Sequence, residues 1–318
     1  MSTNLQNLIC ISSEIASAKR HSKPIVALES TIITHGMPFP ANYQTAIAAE
    51  QRVRKSGSIP ATIAVFQGKI KIGLSNSEIK TLARSKSTQK LSIANLSMSL
   101  AQNVTGSTTV ASTLLISALA DIQVFATGGI GGVHRGANTT FDISTDLKQL
   151  ASSPVNVICA GPKAILDLPK TVELLESLGV PLITYKRRNM PAFWSQDSGL
   201  KSPIVAETVK EIVQSFLIRS RLGLTGAQLV CNPIPEKYEI SIKLIEPLIN
   251  KSIAKAKKNN VNGKALTPFL LSEILRETKG KSLEANKALL FNNIDLASKI
   301  AKTLANINRN SEVLSLIR

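Results

Sequence analysis

Short apolar runs alternate along this chain with longer helical patterns. Runs such as residues 24–28 and 155–158 are bounded by Gly, Pro or polar residues, whereas residues 42–55 repeat apolar side chains at helical spacing. Continuous apolar runs are typical of parallel strands that are buried on both faces. The alternation therefore predicts an α/β fold, a three-layer α/β/α sandwich around a largely parallel sheet.

The same patterns predict a single main domain. Hydrophobic residues make up 43% of the 318-residue chain, which is enough for a large core, and neither an internal repeat nor a long linker divides it. We expect one catalytic domain at residues 25–305, an N-terminal extension at residues 1–24 and a polar tail at residues 306–318.

The N-terminal extension permits two interpretations. Its Ser-rich composition with Lys19 and Arg20 resembles an organelle transit peptide, whereas Leu8, Ile11 and Ile15 fit an ordinary helix, which we favour. No apolar run approaches the roughly 18 residues of a membrane span. The three cysteines form no CxxC pair and fit a reducing compartment, so a cytoplasmic location is expected.

The net charge of +17 raises the question of a polyanionic partner. The basic residues are scattered rather than clustered, and aromatic residues, which stack on nucleic-acid bases, make up only 4% of the chain. A nucleic-acid ligand is therefore not expected. A generally basic proteome would account for the charge.

Polar groups follow four of the predicted strands at the point where each strand ends. In open parallel sheets, ligands bind beyond the carboxyl ends of the strands. We therefore expect these groups to converge on one crevice. They are Glu29-Ser30-Thr31, Thr127-Gly128-Gly129, Lys163 and Asn232.

The glycine-rich segment around Gly129 does not carry a dinucleotide-binding fingerprint. Gly129 and Gly131 would need a third glycine at position 134, where His134 stands, and no GxxxxGK[ST] phosphate loop is present. Two interpretations stay open. The segment is either a structural loop or a set of backbone N–H groups that bind an anion.

A second polar cluster precedes a short helical pattern and contains Asp142, Ser144, Thr145 and Asp146. Carboxylate and hydroxyl oxygens, together with water, suit Mg²⁺ or Mn²⁺. Ser144 and Asp146 are also good helix N-caps, and the spacing of the two aspartates alone favours capping.

Glu29 and Lys163 carry the sharpest chemical hypotheses. A carboxyl group that is partly desolvated at a strand end has a raised pKa, which suits acid–base catalysis. An amine becomes nucleophilic near neutral pH where burial or a neighbouring cation favours its neutral form. The structural alternatives are a capping or loop-pairing acid and a lysine whose ammonium extends to the surface.

Six segments, which span residues 24–304, carry a resemblance to a known family. In chain order they read VALESTIITHGMPFPANYQTA, VFATGGIGGVHRGANTTFDISTDL, VICAGPKAILDLPKTVELLESLGVPLITY, NPIPE, TPFLL and FNN. Together they resemble the pseudouridine-5′-phosphate glycosidases, a family also called indigoidine synthase A-like. Several of the segments exceed ten residues, so chance similarity does not account for them.

The resemblance implies an enzyme, a pseudouridylate synthase or pseudouridine-5′-phosphate glycosidase of nucleotide catabolism. Such an enzyme reversibly cleaves pseudouridine 5′-phosphate into uracil and ribose 5-phosphate, with Mn²⁺ or another divalent metal, and forms a homotrimer. The alternatives are a Schiff-base lyase that acts on another phosphosugar and a non-catalytic basic RNA-binding protein on the same scaffold. Because Glu29, Asp142 and Lys163 are all present, the non-catalytic alternative is disfavoured.

The resemblance also implies a role for each matching residue. Lys163 corresponds to the amine that forms a Schiff base with C1′ of the ring-opened ribose, Glu29 to the proton donor and Asp142 to the metal ligand. Asn286 is expected to contact the uracil edge, where an amide can donate and accept. The implied substrate-binding positions are Lys90, Val110, Thr127, His134, Ser144, Thr145, Asp146 and Asn286.

Three segments and one single residue depart from the family pattern. One of the segments is the turn GLTGA at residues 223–227, where a GL-GG pattern is usual. LSIANL follows Lys90 where a charged segment resembling VSRRDL is usual, and Thr145 stands where alanine is usual. The segment MPAFW, which ends at Trp194, replaces FPAFF. These departures bear on phosphate affinity and subunit contacts rather than on the three catalytic and metal-binding positions.

Overall fold

A computed structural model describes residues 7–261 and 263–316, without the side chains of Lys264 and of residues 310–316. The strands are β1 (Ile9–Ile11), β2 (Ile25–Leu28), β3 (Ile59–Phe66), β4 (Lys69–Ile72), β5 (Gln89–Leu91), β6 (Gly106–Thr108), β7 (Val124–Ala126), β8 (Asn156–Cys159), β9 (Leu182–Tyr185), β10 (Ile204–Ala206) and β11 (Gln228–Cys231). The helices are α1 (Ser13–Arg20), α2 (Thr31–His35), α3 (Ala41–Lys55), α4 (Asn76–Arg84), α5 (Leu96–Ala101), α6 (Val110–Leu119), α7 (Ala137–Thr140), α8 (Thr145–Leu150), α9 (Leu168–Ser177), α10 (Val209–Arg221), α11 (Ile242–Lys258), α12 (Leu266–Glu277) and α13 (Lys281–Leu316).

The strands form one mixed sheet that is largely parallel. Nine of them lie in the order β1-β4-β3-β2-β7-β8-β11-β9-β10, and β6 pairs with β3 and β5 beside this row. Among the described strands, β3 is antiparallel to β4 and to β6, and every other neighbouring pair is parallel. The predicted fold class is confirmed.

Helices cover both faces of the sheet, because the central strands alternate their apolar side chains between two cores. In β2, Val26 and Leu28 pack with α3, α10 and α13, whereas Ala27 packs on the opposite face with α1, α6, α8 and α9. Each side chain is almost completely buried. This alternation makes strands of a three-layer sandwich read as continuous apolar runs.

The chain connections change direction between β2 and β7. From β2 the chain passes through α2 and α3 to β3 on one side, whereas β7 is followed by β8 on the other side. Such a switch point leaves a crevice at the carboxyl ends of the two strands, because the connecting segments lead away in opposite directions. Glu29 and Thr127 are the residues that directly follow these strands.

The N-terminal extension is part of the folded core. The helix predicted around Leu8 begins at Ser13, because Ile9–Ile11 pairs in parallel with β4 as an additional strand. Ser12 caps the helix by accepting a hydrogen bond from the N–H of Ile15, and the Ile15 side chain is fully buried.

At the other end of the chain, α13 continues to Leu316 through most of the segment predicted as a polar tail. Residues 317 and 318 lie outside the described residues. The domain boundaries therefore stay a prediction. No described helix is long and apolar enough to cross a membrane.

Candidate active site

Glu29 lies at the switch point between β2 and β7. The Thr127 hydroxyl donates a hydrogen bond to Glu29 Oε1 from the neighbouring strand end, and the Thr127 N–H binds the Ile158 carbonyl at 3.0 Å. Burial raises the pKa of Glu29 above its ordinary value of 4.5, although the charge of Lys163 and the Thr127 hydroxyl oppose the rise. The protonated form of Glu29 is thereby favoured, as a proton donor requires.

Lys163 faces Glu29 from the turn that follows β8. Its N–H donates to the Ile130 carbonyl at 3.0 Å, which fixes the turn against the glycine-rich segment. Gly161, two residues earlier, has φ of 90°, a conformation that a side chain would strain. The half-buried Lys163 side chain acts on the charge of Glu29, yet the two residues form no ion pair. Glu29 and Lys163 therefore face each other without a direct salt bridge.

His134 and Asp142 form the next part of the site. The His134 N–H donates to the Asp142 carbonyl at 3.0 Å, and burial lowers the pKa of His134, with Lys163 and Lys90 adding to the effect and Asp142 opposing it. His134 is therefore neutral at pH 7. Within the described part of the chain, the Asp142 carboxylate accepts no hydrogen bond, and a cavity of about 730 Å³ beside it is lined also by Lys257.

Asp146 fastens the glycine-rich segment to the start of α6. It is buried, and its two carboxylate oxygens accept the N–H of Ala111 at 2.9 Å and of Gly131 at 2.8 Å. Ser144 Oγ accepts the Asp146 N–H at 3.2 Å as the N-cap of α8. The capping interpretation therefore holds for Ser144, and the anion that this loop binds is a carboxylate of its own chain.

Gly131 stands where a side chain has no room. A Cβ atom there would lie 2.6 Å from Ser144 Cβ and 2.8 Å from Asp146 Oδ2. The residue is a glycine because two polar side chains approach its backbone, and not because it completes a nucleotide-binding loop.

Lys90, Val110 and Thr145 surround the same region. Lys90 on β5 acts on the charges of both Glu29 and His134. Val110 begins α6 with its side chain 1% exposed, so any ligand contact has to use its backbone. Thr145 begins α8 and is half-buried. The N-terminus of α6 and the N-terminus of α8, which contains Asp146 itself, thus meet at the Asp146 carboxylate.

Asn286 approaches from α13 and is already engaged. Its Oδ1 accepts a hydrogen bond of 2.7 Å from the indole N–H of Trp194. Because Trp194 already occupies this oxygen, the prediction that the Asn286 amide both donates to and accepts from a base meets a competing hydrogen bond.

Two further residues at the site, Asn293 and His35, were not predicted from the sequence. Asn293 donates to the Thr127 carbonyl at 2.8 Å and accepts from Asn232 at 3.2 Å, which holds α13 against the strand ends. The seven-residue spacing of Asn286 and Asn293, two helical turns, was the available signal. His35 lies near Lys90, and burial together with Lys90 lowers its pKa.

The chain is similar to known proteins over nearly its whole length. A pseudouridine-5′-phosphate glycosidase from Jannaschia sp. (strain CCS1) is 52% identical over 296 residues, which cover 93% of this chain and 98% of that protein. An indigoidine synthase A-like protein from Thermotoga maritima MSB8 superposes with a TM-score of 0.86 at 34% identity, over 94% of this chain and 97% of the other.

A second solved structure is that of the prealnumycin C-glycosynthase AlnA in complex with ribulose 5-phosphate. It superposes with a TM-score of 0.88 at 32% identity, over 95% of this chain and 99% of that one. The family model described as indigoidine synthase A like protein matches residues 14–303. With near-complete coverage in sequence and in structure, the chain belongs to the indigoidine synthase A-like family.

Proposed function

We propose that this enzyme reversibly cleaves the C–C glycosidic bond of pseudouridine 5′-phosphate to give uracil and ribose 5-phosphate. The observation that carries the proposal is the pair of Glu29 and Lys163, an acid with a raised pKa and an amine that faces it without an ion pair. The name of the Jannaschia relative supplies the substrate.

The chemistry explains why an amine is needed. The leaving atom of this substrate is carbon C5 of uracil, which tolerates negative charge poorly, so a route that relies on two carboxylates alone is weak. An amine bonded to C1′ can accept the positive charge as the C–C bond breaks. We therefore assign Lys163 as the nucleophile and Glu29 as the proton donor.

The overall proposed reaction is a hydrolysis of pseudouridine 5′-phosphate to uracil and ribose 5-phosphate. The C1′–O4′ bond breaks as Glu29 gives its proton to O4′, and Lys163 Nζ bonds to C1′ of the opened ribose. Glu29 then takes up the proton that the amine nitrogen loses on bonding to C1′. The C1′–C5 bond breaks, C5 of uracil takes that proton from Glu29, and the nitrogen lone pair forms the C1′=N Schiff base. Water finally hydrolyses the Schiff base and releases ribose 5-phosphate and free Lys163.

We assign the phosphate to the region between Lys90, Ser144 and the N-termini of α6 and α8. The dipole at a helix N-terminus favours an anion and a lysine adds a full positive charge, whereas the Ala111 N–H is already taken by the Asp146 carboxylate. Val110 can contribute its backbone there, since its side chain is buried in the core. Thr145 at the start of α8 adds a hydroxyl.

We propose that Asp142 holds the Mn²⁺ or other divalent metal. The described residues contain no group of three or more His, Cys, Asp or Glu side chains that would hold a metal ion unaided. A single carboxylate completed by water and phosphate oxygens is common for small hard cations, and the carboxylate of Asp142 is open to such a ligand set. When bound, the metal would neutralise and orient the phosphate.

We also propose a homotrimer in the cytoplasm. Phe141 and Ile143, on either side of Asp142, are 82% and 43% exposed, which suits burial against another subunit. The three cysteines are free thiols, which suits a reducing compartment. Analytical ultracentrifugation that finds a monomer at micromolar concentration would contradict the trimer.

Borohydride trapping tests the mechanism. With ribose 5-phosphate and Mn²⁺, we expect a covalent adduct on the wild-type protein and none on Lys163→Ala. Lys170→Ala is the matched control, because Lys170 is exposed on α9 and pairs with Asp167 at 2.7 Å. The control should keep the adduct. A folded wild-type protein without an adduct, or an adduct on Lys163→Ala, would contradict the assignment.

The AlnA structure favours one second candidate, a Schiff-base lyase that acts on another phosphosugar. That protein is named a C-glycosynthase and was solved with ribulose 5-phosphate. Both candidates predict an adduct at Lys163, so release of uracil from pseudouridine 5′-phosphate, followed by absorbance, separates them.

A further inference from the structure

The hydrogen bond between Trp194 and Asn286 fixes which way the Asn286 amide points. Trp194 is 1% exposed and is the only tryptophan of the chain. An indole N–H can only donate, so the amide oxygen has to face it, as the 2.7 Å contact with Oδ1 requires. The NH₂ group of Asn286 therefore points away from Trp194.

Trp194 is itself anchored to the turn that carries Lys163. The neighbouring Phe193 donates its N–H to the Ala160 carbonyl at 3.0 Å, and the two aromatic rings meet edge-on with centroids 5.1 Å apart. A Cβ atom on Gly129 would lie 2.6 Å from the Phe193 ring. The segment that holds Trp194 is thus packed against both loops of the candidate active site.

Helix α13 brings Asn286 to the open side of the same site. Asn293 binds the Thr127 carbonyl, and Leu289 approaches Gly128, where a Cβ atom would lie 3.2 Å from Leu289 Cδ1. Asn286 is the next residue on this face of the helix, about 10 Å beyond Asn293 at a rise of 1.5 Å per residue. It therefore lies past the ends of the strands, and its side chain is half-buried.

We propose that Trp194 is a positioning residue that presents Asn286 to the base as a hydrogen-bond donor. The inference rests on the proposed function, because it takes uracil as the ligand. An amide that is free to rotate offers its oxygen or its nitrogen with similar ease. With its oxygen held by Trp194, Asn286 favours a base that carries a carbonyl oxygen at the contact and disfavours one that carries an amino group there.

A double-mutant cycle tests the proposal in the direction of synthesis, with uracil and ribose 5-phosphate as substrates. Trp194→Phe keeps an aromatic ring and deletes the N–H. We expect it to raise the KM for uracil about fivefold, the value of one hydrogen bond, and to leave the KM for ribose 5-phosphate and the adduct yield on Lys163 unchanged. In an Asn286→Ala background, Trp194→Phe should raise the KM for uracil no further.

Other outcomes overturn the proposal. Equal changes in both KM values, or effects of the two substitutions that simply add, would mean that Trp194 acts through general packing. An unchanged KM for uracil in an active Trp194→Phe enzyme would refute the inference alone. A wild-type protein that neither makes pseudouridine 5′-phosphate nor releases uracil from it would refute the proposed function, and the inference with it.

A measurement without a core substitution covers the case in which Trp194→Phe does not fold. Because Trp194 is the only tryptophan, its fluorescence reports on its bond to Asn286. We expect saturating uracil to shift the emission of the wild-type protein and to leave that of Asn286→Ala unchanged. Emission that does not respond to uracil in an enzyme that uses uracil would refute the proposal.

Discussion

Asp146→Asn is expected to lower both the stability and the activity of the protein. The buried carboxylate accepts two backbone N–H groups, from Ala111 and Gly131. Asparagine keeps one acceptor oxygen and turns an NH₂ group toward the other N–H. One charge-assisted hydrogen bond is lost and one buried donor is left unpaired, which together cost about 4 kcal/mol of the free energy of unfolding.

That cost can be measured by thermal unfolding. For a chain of this size, about 4 kcal/mol corresponds to a decrease in Tm of about 6 °C. The value of kcat/KM should fall about 100-fold, since a shift of about 1 Å in the glycine-rich loop or the α6 N-terminus misplaces the substrate. Asp197→Asn is a matched control, because Asp197 accepts the Gly199 N–H at 2.7 Å on an exposed loop.

The two measurements distinguish a positioning role from direct substrate binding. A side chain that only contacts the substrate would lose activity on substitution without a change in Tm. If Asp146→Asn unfolds at the wild-type temperature, the inferred role of its two backbone hydrogen bonds is wrong. If Asp197→Asn loses as much stability as Asp146→Asn, burial is not the cause.

Three further predictions concern the acid and the metal. Because burial raises the pKa of Glu29, the folded protein binds more protons than the unfolded chain above pH 4.5, and its stability falls as the pH rises through the folded-state pKa. In Glu29→Gln, a plot of Tm against pH should no longer show this loss of stability. The same variant should be inactive. Thr127→Val should raise the pKa of Glu29 further and move the alkaline limb of the kcat/KM profile to higher pH, whereas Thr127→Ser should leave the limb in place. Asp142→Ala should weaken Mn²⁺ binding in isothermal titration by at least about tenfold with little change in Tm, and unchanged Mn²⁺ affinity would move the metal to another residue.

The sheet could be predicted because its central strands are buried on both faces. Runs such as Val26-Ala27-Leu28 contain no polar residue, so they are readable without knowledge of their partners. Of the five three-residue strands, β1, β5, β6 and β10 were not predicted, whereas β7 was, because it lies in the centre of the sheet and is buried along its whole length. Ile9–Ile11 was included in a predicted helix because only its pairing with β4 identifies it as a strand.

The site could be predicted only in part, for a related reason. Glu29, Thr127 and Lys163 each follow an apolar run, so their position at one edge of the sheet follows from local sequence and strand topology. The contact between Trp194 and Asn286 joins residues 92 positions apart and depends on how α13 packs. Similarly, nothing local to Asp146 indicates that Ala111 is its partner, so its positioning role required the folded structure.

The proposed mechanism needs an acid and an amine that act on one sugar without neutralising each other, and the arrangement of strands is suited to keeping them apart. Glu29 follows β2 and Lys163 follows β8, with β7 between them, so the two carrying strands lie about 10 Å apart. An ion pair would convert the pair to a carboxylate and an ammonium, which can neither donate the needed proton nor attack C1′. Burial raises the pKa of Glu29 and so favours its protonated form, which is the form that can donate a proton. Strand spacing and desolvation thus act together to keep the proposed acid and the proposed nucleophile from neutralising each other.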